Sequence, residues 1–83
     1  MGELFRDIRS RKYYFFSNEG NEPPHIHVRQ AGRSVKYWME DPLRIAYNNK
    51  FTGKELRDIE RIIEMNREFI IKKWNENTKL SRS

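Results

Sequence analysis

The residues best suited to chemistry are the only two histidines of the chain, His25 and His27, which directly follow Pro23 and Pro24. Side chains two positions apart point to the same face of a strand. Two imidazoles on one face can act as general acid and base, bind a metal ion, or join a phosphate-binding surface. They can also be hydrogen-bonded structural groups beneath the preceding loop. The motif alone leaves these four interpretations open.

The acid–base interpretation adds Lys36 to the two histidines as a third catalytic residue. Its ammonium would stabilise negative charge that develops on a phosphodiester. If it lies opposite His27, it also disfavours the charged imidazole and keeps a base available near neutrality. Catalytic His25, His27 and Lys36 would together make a metal-independent ribonuclease.

A metal site would need carboxylates beside the histidines, and Glu19, Glu22 and Glu40 are the candidates. Lys36 argues against this interpretation because a nearby ammonium repels a divalent cation. We therefore expect neither a metal ion nor another cofactor.

The same segment is basic, which favours contact with RNA or DNA. Residues 23–39 contain no acidic side chain, and the net charge of the chain is +5. Cations there can hold phosphates, and aromatic rings can stack on bases. The predicted nucleic-acid-binding residues are Tyr14, Arg29, Arg33, Lys36 and Trp38.

Alternating polar and apolar residues predict a small antiparallel sheet. Three strands are expected, and a fourth segment is either a short strand or a helical turn. The strands are residues 12–17, 25–29 and 34–40, and the ambiguous segment is residues 43–47.

A hairpin with Ala31 and Gly32 at its tip fixes how the second and third predicted strands pair. The position numbers of opposed residues then sum to 63, which keeps apolar residues on one face. The apolar pairs are Val28 with Val35 and Ile26 with Tyr37. The polar-face pairs are His27 with Lys36, His25 with Trp38, and Arg29 with Ser34.

A long C-terminal helix follows the sheet. Thr52 and Glu55 form a capping-box pattern that marks its first turn. Its apolar stripe should be buried on the sheet at Leu56, Ile59 and Ile63. The region around Phe69, Ile70 and Trp74 should pack on a second chain or on the N-terminal segment.

These elements predict an α+β fold, a small and mainly antiparallel sheet of three to four strands packed on one long C-terminal helix. Residues 1–76 should form a single domain, and residues 77–83 a polar, flexible tail. The chain has 83 residues and no cysteine, which excludes disulfides and thiolate sites. It has no signal-peptide pattern and no run of about 20 apolar residues, so we expect a cytoplasmic protein without a membrane partner.

The run Tyr14–Val28, with its Glu-Pro-Pro-His-Ile-His-Val string, resembles a family of short bacterial proteins known only as a domain of unknown function. The segments Tyr37–Glu40, Leu43–Asn48 and Phe51–Leu56, and the helix ending near Trp74, share the resemblance. It implies pairs of small proteins of toxin–antitoxin type, hence a partner-bound protein acting on or near nucleic acid. The resemblance also draws attention to Glu19, Glu22, His25 and His27.

The expected function is therefore a small bacterial accessory protein of toxin–antitoxin type whose basic face contacts RNA or DNA. A histidine-dependent ribonuclease in the same context is the first alternative. The second is a protein–protein adaptor without enzymatic activity. A second small protein, or self-association, would use the C-terminal helix.

Overall fold

The computed structural model describes the backbone of residues 2–16 and 21–82 and the side chains of residues 3–16 and 21–76. The fold is α+β: one five-stranded antiparallel sheet, with strands in chain order, and two helices. The elements are β1 Gly2–Arg6, β2 Lys12–Phe15, β3 His25–Gln30, β4 Arg33–Trp38, β5 Arg44–Asn49, α1 Gly53–Met65 and α2 Arg67–Arg82. The predicted fold class is thus confirmed, but the sheet has one or two strands more than predicted and the helix is divided.

The strand that the sequence did not predict is β1. It pairs with β2, and the register shifts between Glu3 and Phe5. Charged residues flank the short apolar pair Leu4 and Phe5, so the period-two pattern is too brief to identify a strand. Pairing with the aromatic strand β2 makes this segment an edge of the sheet.

The β3–β4 hairpin has the predicted register. Val28 lies opposite Val35, and His27 lies opposite Lys36. The two-residue turn has positive φ at Ala31 (46°) and Gly32 (82°). Left-handed backbone at both positions matches the twist of the flanking strands, so this turn fixes the even register.

The segment that sequence reasoning left ambiguous is strand β5. It pairs with β4, and the register shifts between Lys36 and Tyr37. All six of its residues are exposed, as the second edge of the sheet.

The core lies between one face of the sheet and the two helices. The sheet contributes Tyr13, Phe15, Ile26, Val28, Val35 and Tyr37, and the following segments contribute Phe51, Ile59, Ile63, Ile70 and Trp74. Leu56 packs against this core as a half-buried residue. Phe69 is 41% exposed and meets Phe5 of β1 edge-on at 6.2 Å between ring centres. The predicted contact with the N-terminal segment is therefore found at Phe69, whereas Ile70 and Trp74 join the core of the same chain.

The prediction of one continuous helix is wrong at Asn66. This residue ends α1, with its backbone N–H bonded to the Ile63 carbonyl and its side-chain amide donating to the Ile62 carbonyl at 2.8 Å. An asparagine amide that bonds backbone carbonyls competes with helical geometry. An unbroken helix of about 24 residues would run past strands about 20 Å long. Ile63, before the break, and Ile70, beyond it, are both buried in the core.

The predicted capping box is present, because Thr52 accepts from the Glu55 backbone and Glu55 accepts from the Thr52 backbone. Helix α2 continues to Arg82, while the side chains of residues 77–83 lie outside the described residues, and the flexibility of that tail stays a prediction. Neither helix, within the described residues, has the length and apolar character needed to cross a membrane.

Candidate nucleic-acid interface

The helices cover one face of the sheet, and we call the opposite side the outer face. Because Tyr13, Val28 and Val35 are buried beneath the helices, their strand neighbours project to the other side. The outer face therefore contains Tyr14, His27, Arg29, Lys36 and Trp38, together with Arg44 and Tyr47 of β5. Four of the five predicted nucleic-acid-binding residues are brought together there.

Cations and aromatic rings are paired on the outer face. The Arg29 guanidinium lies 5.9 Å from the centre of the Tyr14 ring. The Lys36 ammonium lies 4.4 Å from the Trp38 ring, and Arg44 approaches the same ring at 5.8 Å. Such pairs hold cation and ring side by side at modest energetic gain. The outer face thus holds a cation against each of these two aromatic rings.

Glu22 links the loop before β3 to this surface. Its Oε1 lies 3.0 Å from Lys36 Nζ and 3.6 Å from His25 Nδ1. Lys36 is therefore held in an ion pair, and a phosphate would share its ammonium with a carboxylate. Arg29, which is exposed, is the better-placed cation for a ligand.

Both imidazoles are buried, with exposed fractions of 0% for His25 and 4% for His27. His25 Nδ1 lies 3.0 Å from the Pro23 carbonyl oxygen, which suits a tautomer that donates from Nδ1. The His27 ring is stacked on Tyr14 at 5.3 Å and meets Phe16 edge-on at 4.7 Å. A general acid or base must reach the proton it transfers. This burial favours the structural interpretation of the two histidines.

The carboxylates of the metal interpretation do not converge within the described side chains. Glu19 lies outside the described residues, and Glu22 faces the Lys36 ammonium. Among the side chains that the structure describes, no group of three or more potential ligands could hold a metal ion.

Arg33, the fifth predicted nucleic-acid-binding residue, lies on the helix side of the sheet. Its guanidinium donates to Glu55 of α1 at 2.6 Å and lies 5.6 Å from the centre of the Phe51 ring. It lines a groove of about 710 Å³ between the β1–β2 turn, the β3–β4 hairpin and α1. We call this the basic groove because six cations line it: Arg9, Arg11, Arg33, Lys54, Arg57 and Arg61.

Sequence reasoning missed the basic groove because its cations come from three separate segments. The helical segment also looked neutral, since residues 53–77 carry as many acidic as basic side chains. One pattern could have revealed it. Lys54, Arg57 and Arg61 recur at spacings of three and four, which places them on one side of α1.

A buried ionic cluster supports the wall of the basic groove. Arg11 is 1% exposed, and its guanidinium donates to Asp7 at 2.6 Å and also to Asp58 of α1. Asp7 additionally accepts from the Tyr13 hydroxyl at 2.8 Å and from the Arg9 backbone N–H at 2.8 Å. These contacts connect the β1–β2 turn, β2 and α1 through Asp7 and Arg11.

The pKa values within this cluster follow from these contacts. Burial would raise the pKa of Asp7, but hydrogen bonds from Tyr13 and Arg11 outweigh it and hold the pKa below its usual value. Burial and the bond to Asp7 raise the pKa of Tyr13. Asp7 is consequently a carboxylate, and Tyr13 a neutral donor, throughout the neutral range.

No curated protein and no solved structure matches the chain significantly. One protein family does match, described as a domain of unknown function (DUF4160), over residues 12–75. That match runs from the start of β2 into α2 and includes both histidines, the outer face and α1. Because it covers most of the 83 residues, this chain belongs to the DUF4160 family.

Proposed function

We propose that this chain is a small accessory protein that binds RNA or DNA on its outer face, within a two-protein system of toxin–antitoxin type. The supporting observation is the pairing of cations with aromatic rings on the sheet face that the helices leave uncovered. The toxin–antitoxin context is what the resemblance of the Glu-Pro-Pro-His-Ile-His-Val string implies.

The chemistry of the outer face suits single-stranded nucleic acid. Tyr14 and Trp38 are half-buried, so their rings are held in place while part of each remains accessible. Stacking of a base on such a ring contributes about 1–3 kcal/mol and tolerates any base. The exposed Arg29 can hold a phosphate between stacked bases.

Replacing both Arg29 and Lys36 with alanine is expected to weaken binding of a single-stranded oligonucleotide. The slope of log affinity against log salt should flatten by about one for each phosphate that the variant no longer neutralises. Fluorescence anisotropy across a salt series measures both quantities. Because Lys36 is paired with Glu22, we expect Arg29→Ala alone to produce most of the change.

The matched control is Lys72→Ala with Lys73→Ala, which removes the same charge from α2, far along the chain from the outer face. Trp38→Ala should lower affinity with little change in the salt slope, because stacking on an uncharged ring neutralises no phosphate and so releases no counterion. Wild-type protein that binds no oligonucleotide at low salt would contradict the proposal and favour the protein–protein adaptor.

One arrangement favours the ribonuclease as a second candidate function. The rings of His25 and His27 lie 5.1 Å apart, and Glu22 approaches both His25 and Lys36. If these groups perform catalysis, His25→Ala and His27→Ala should abolish RNA cleavage while binding persists, and the rate should follow a bell-shaped pH profile.

We expect the histidine variants to change the stability of the protein rather than a catalytic rate. His27→Ala should leave the salt slope unchanged and lower the thermal midpoint, because it removes a ring stacked on Tyr14. Cleavage assays and thermal melts on the same two variants separate the alternatives. If the wild-type protein cleaves RNA and the two variants do not, while their thermal midpoints equal that of wild type, the structural interpretation is overturned.

A further inference from the structure

We propose that the basic groove is a second nucleic-acid contact, which holds the sugar–phosphate backbone of the same strand that binds on the outer face. This inference rests on the proposed function and adds a path for the ligand. The strand would leave the outer face at Arg29, round the end of the sheet at the β3–β4 turn, and enter the groove beside Arg33.

The basic groove has an excess of positive charge. Six cations line it against two carboxylates, Glu55 and Asp58, and a third carboxylate, Asp7, pairs with the lining residue Arg11, which leaves an excess of three (six minus three). Glu55 pairs with Arg33, and Asp58 pairs with Arg11 and with Arg61 at 2.7 Å. The two acids therefore fix the positions of three arginines, and the remaining charge faces the cavity.

Three cations remain for a ligand. Lys54 and Arg57 are exposed and form no ion pair within the part of the chain that the structure describes. Arg9 is 71% exposed along its side chain and only approaches Asp58, at 3.7 Å. An anion that entered the groove would meet these cations without first displacing a bonded carboxylate.

The side chains that line the groove indicate the chemical class of this anion. The described lining residues include six cations, two carboxylates and the amide of Gln30, and no aromatic ring. Guanidinium and ammonium groups suit phosphate oxygens. Without a ring, the groove offers no stacking surface for a base, and its cations favour the phosphates. A phosphodiester chain held by its backbone fits this lining.

The basic groove is continuous with the outer face through Gln30. This side chain lines the groove, and it also lines a depression of about 390 Å³ that contains Lys12 and Arg29. Gln30 Nε2 donates to the Arg9 carbonyl at 2.6 Å, which ties the two turns together. Cations thus follow one another from the outer face around the end of the sheet and into the groove.

The decisive test compares two double variants. The groove variant combines Lys54→Ala and Arg57→Ala, and the control variant combines Lys72→Ala and Lys73→Ala. Each is titrated with labelled oligothymidylates of about 4 and about 16 nucleotides, near the limits of a small single-strand site. With the longer ligand, the groove variant should bind roughly ten-fold more weakly. Its salt slope should fall by about two. With the shorter ligand it should match the control, and Lys54→Arg with Arg57→Lys should restore wild-type values.

The outcomes separate this inference from the proposed function. A groove variant indistinguishable from the control with the longer ligand overturns the groove, even where Arg29→Ala still weakens binding. A weakening in the groove variant, with none in the Arg29→Ala and Trp38→Ala variants, supports the groove and overturns the outer face. Wild-type protein that binds neither oligonucleotide overturns both. Circular dichroism melts verify that each variant is folded, as expected for substitutions outside the buried core.

Discussion

Replacing Arg11 with alanine is expected to remove about 3 kcal/mol or more from the free energy of unfolding. The change strips Asp7 of its guanidinium partner, and this carboxylate is 4% exposed along its side chain. A buried charge without its partner is costly. The free energy of unfolding of a domain of this size is roughly 4–12 kcal/mol in total, so the reduction would be a large share of it. Urea denaturation followed by circular dichroism measures it.

The control for this prediction is Arg6→Ala, which removes an exposed arginine of β1 that pairs with Glu3 of the same strand. Exposed pairs contribute little, so this variant should unfold within about 0.5 kcal/mol of wild type. Arg11→Lys should be intermediate, because a single ammonium cannot reproduce the fork that reaches both Asp7 and Asp58. A reduction below about 1 kcal/mol in Arg11→Ala would contradict the structural role of the ionic cluster.

The difference between wild type and Arg11→Ala should also depend on pH. The pKa of Asp7 is lowered in the folded state, so its contribution is fully present above its unfolded value, about 3.9. The contribution disappears as the pH falls through the folded pKa. We therefore expect the two unfolding curves to converge in acid, as Asp7 becomes neutral in both proteins. A difference that stays constant from pH 7 to pH 3 would contradict this account.

Replacing Trp74 with alanine is the second large effect, expected to cost about 3–5 kcal/mol. The indole packs edge-on against Phe15 of β2 at 5.1 Å and against His25 of β3 at 4.7 Å. Among the described side chains of α2, Trp74 is one of two in the core, with Ile70, and a close-packed interior relaxes only partly around the space that its removal leaves. The midpoint of thermal unfolding should fall by about 15 °C or more.

Phe69→Ala provides the comparison, because Phe69 is also aromatic and also on α2 but remains partly in solvent. Its removal should shift the midpoint by only a few degrees, about the effect of 1 kcal/mol. Equal shifts for the two variants would show that α2 is held by its whole apolar stripe rather than by Trp74.

Local patterns predicted the central parts of the fold. The β3–β4 hairpin followed from strict alternation in both strands and a turn that left one consistent register, so His27 was correctly placed opposite Lys36. The first turn of α1 followed from Thr52 and Glu55. Within four residues, the side chain of each accepts a hydrogen bond from the backbone N–H of the other. Each of these features depends on residues close in sequence, which is why pattern reasoning succeeded there.

The missed features depend on contacts that no local pattern contains. Strand β1 exists because β2 offers it a partner, and its own residues carry little strand pattern. Asn66 is only one polar residue within the apolar stripe, and its bond to the Ile62 carbonyl, where the helix ends, depends on a side-chain conformation. The basic groove needs the turn that carries Arg9 to fold against α1. Burial of His25 under Trp74 likewise joins positions far apart in the chain.

The sequential order of the strands has a consequence for how the protein is made on the ribosome. All five strands pair with their neighbours in the chain, so the whole sheet is synthesised before either helix. Roughly 25 further residues separate the end of β5 from Trp74, which takes roughly 1–5 s at the usual pace of synthesis. During that interval the apolar face of Ile26, Val28 and Val35 lacks its full cover, because α1 and then α2 are still being made. The nascent chain is thus most prone to aggregation, and most open to chaperones, immediately before the helices emerge.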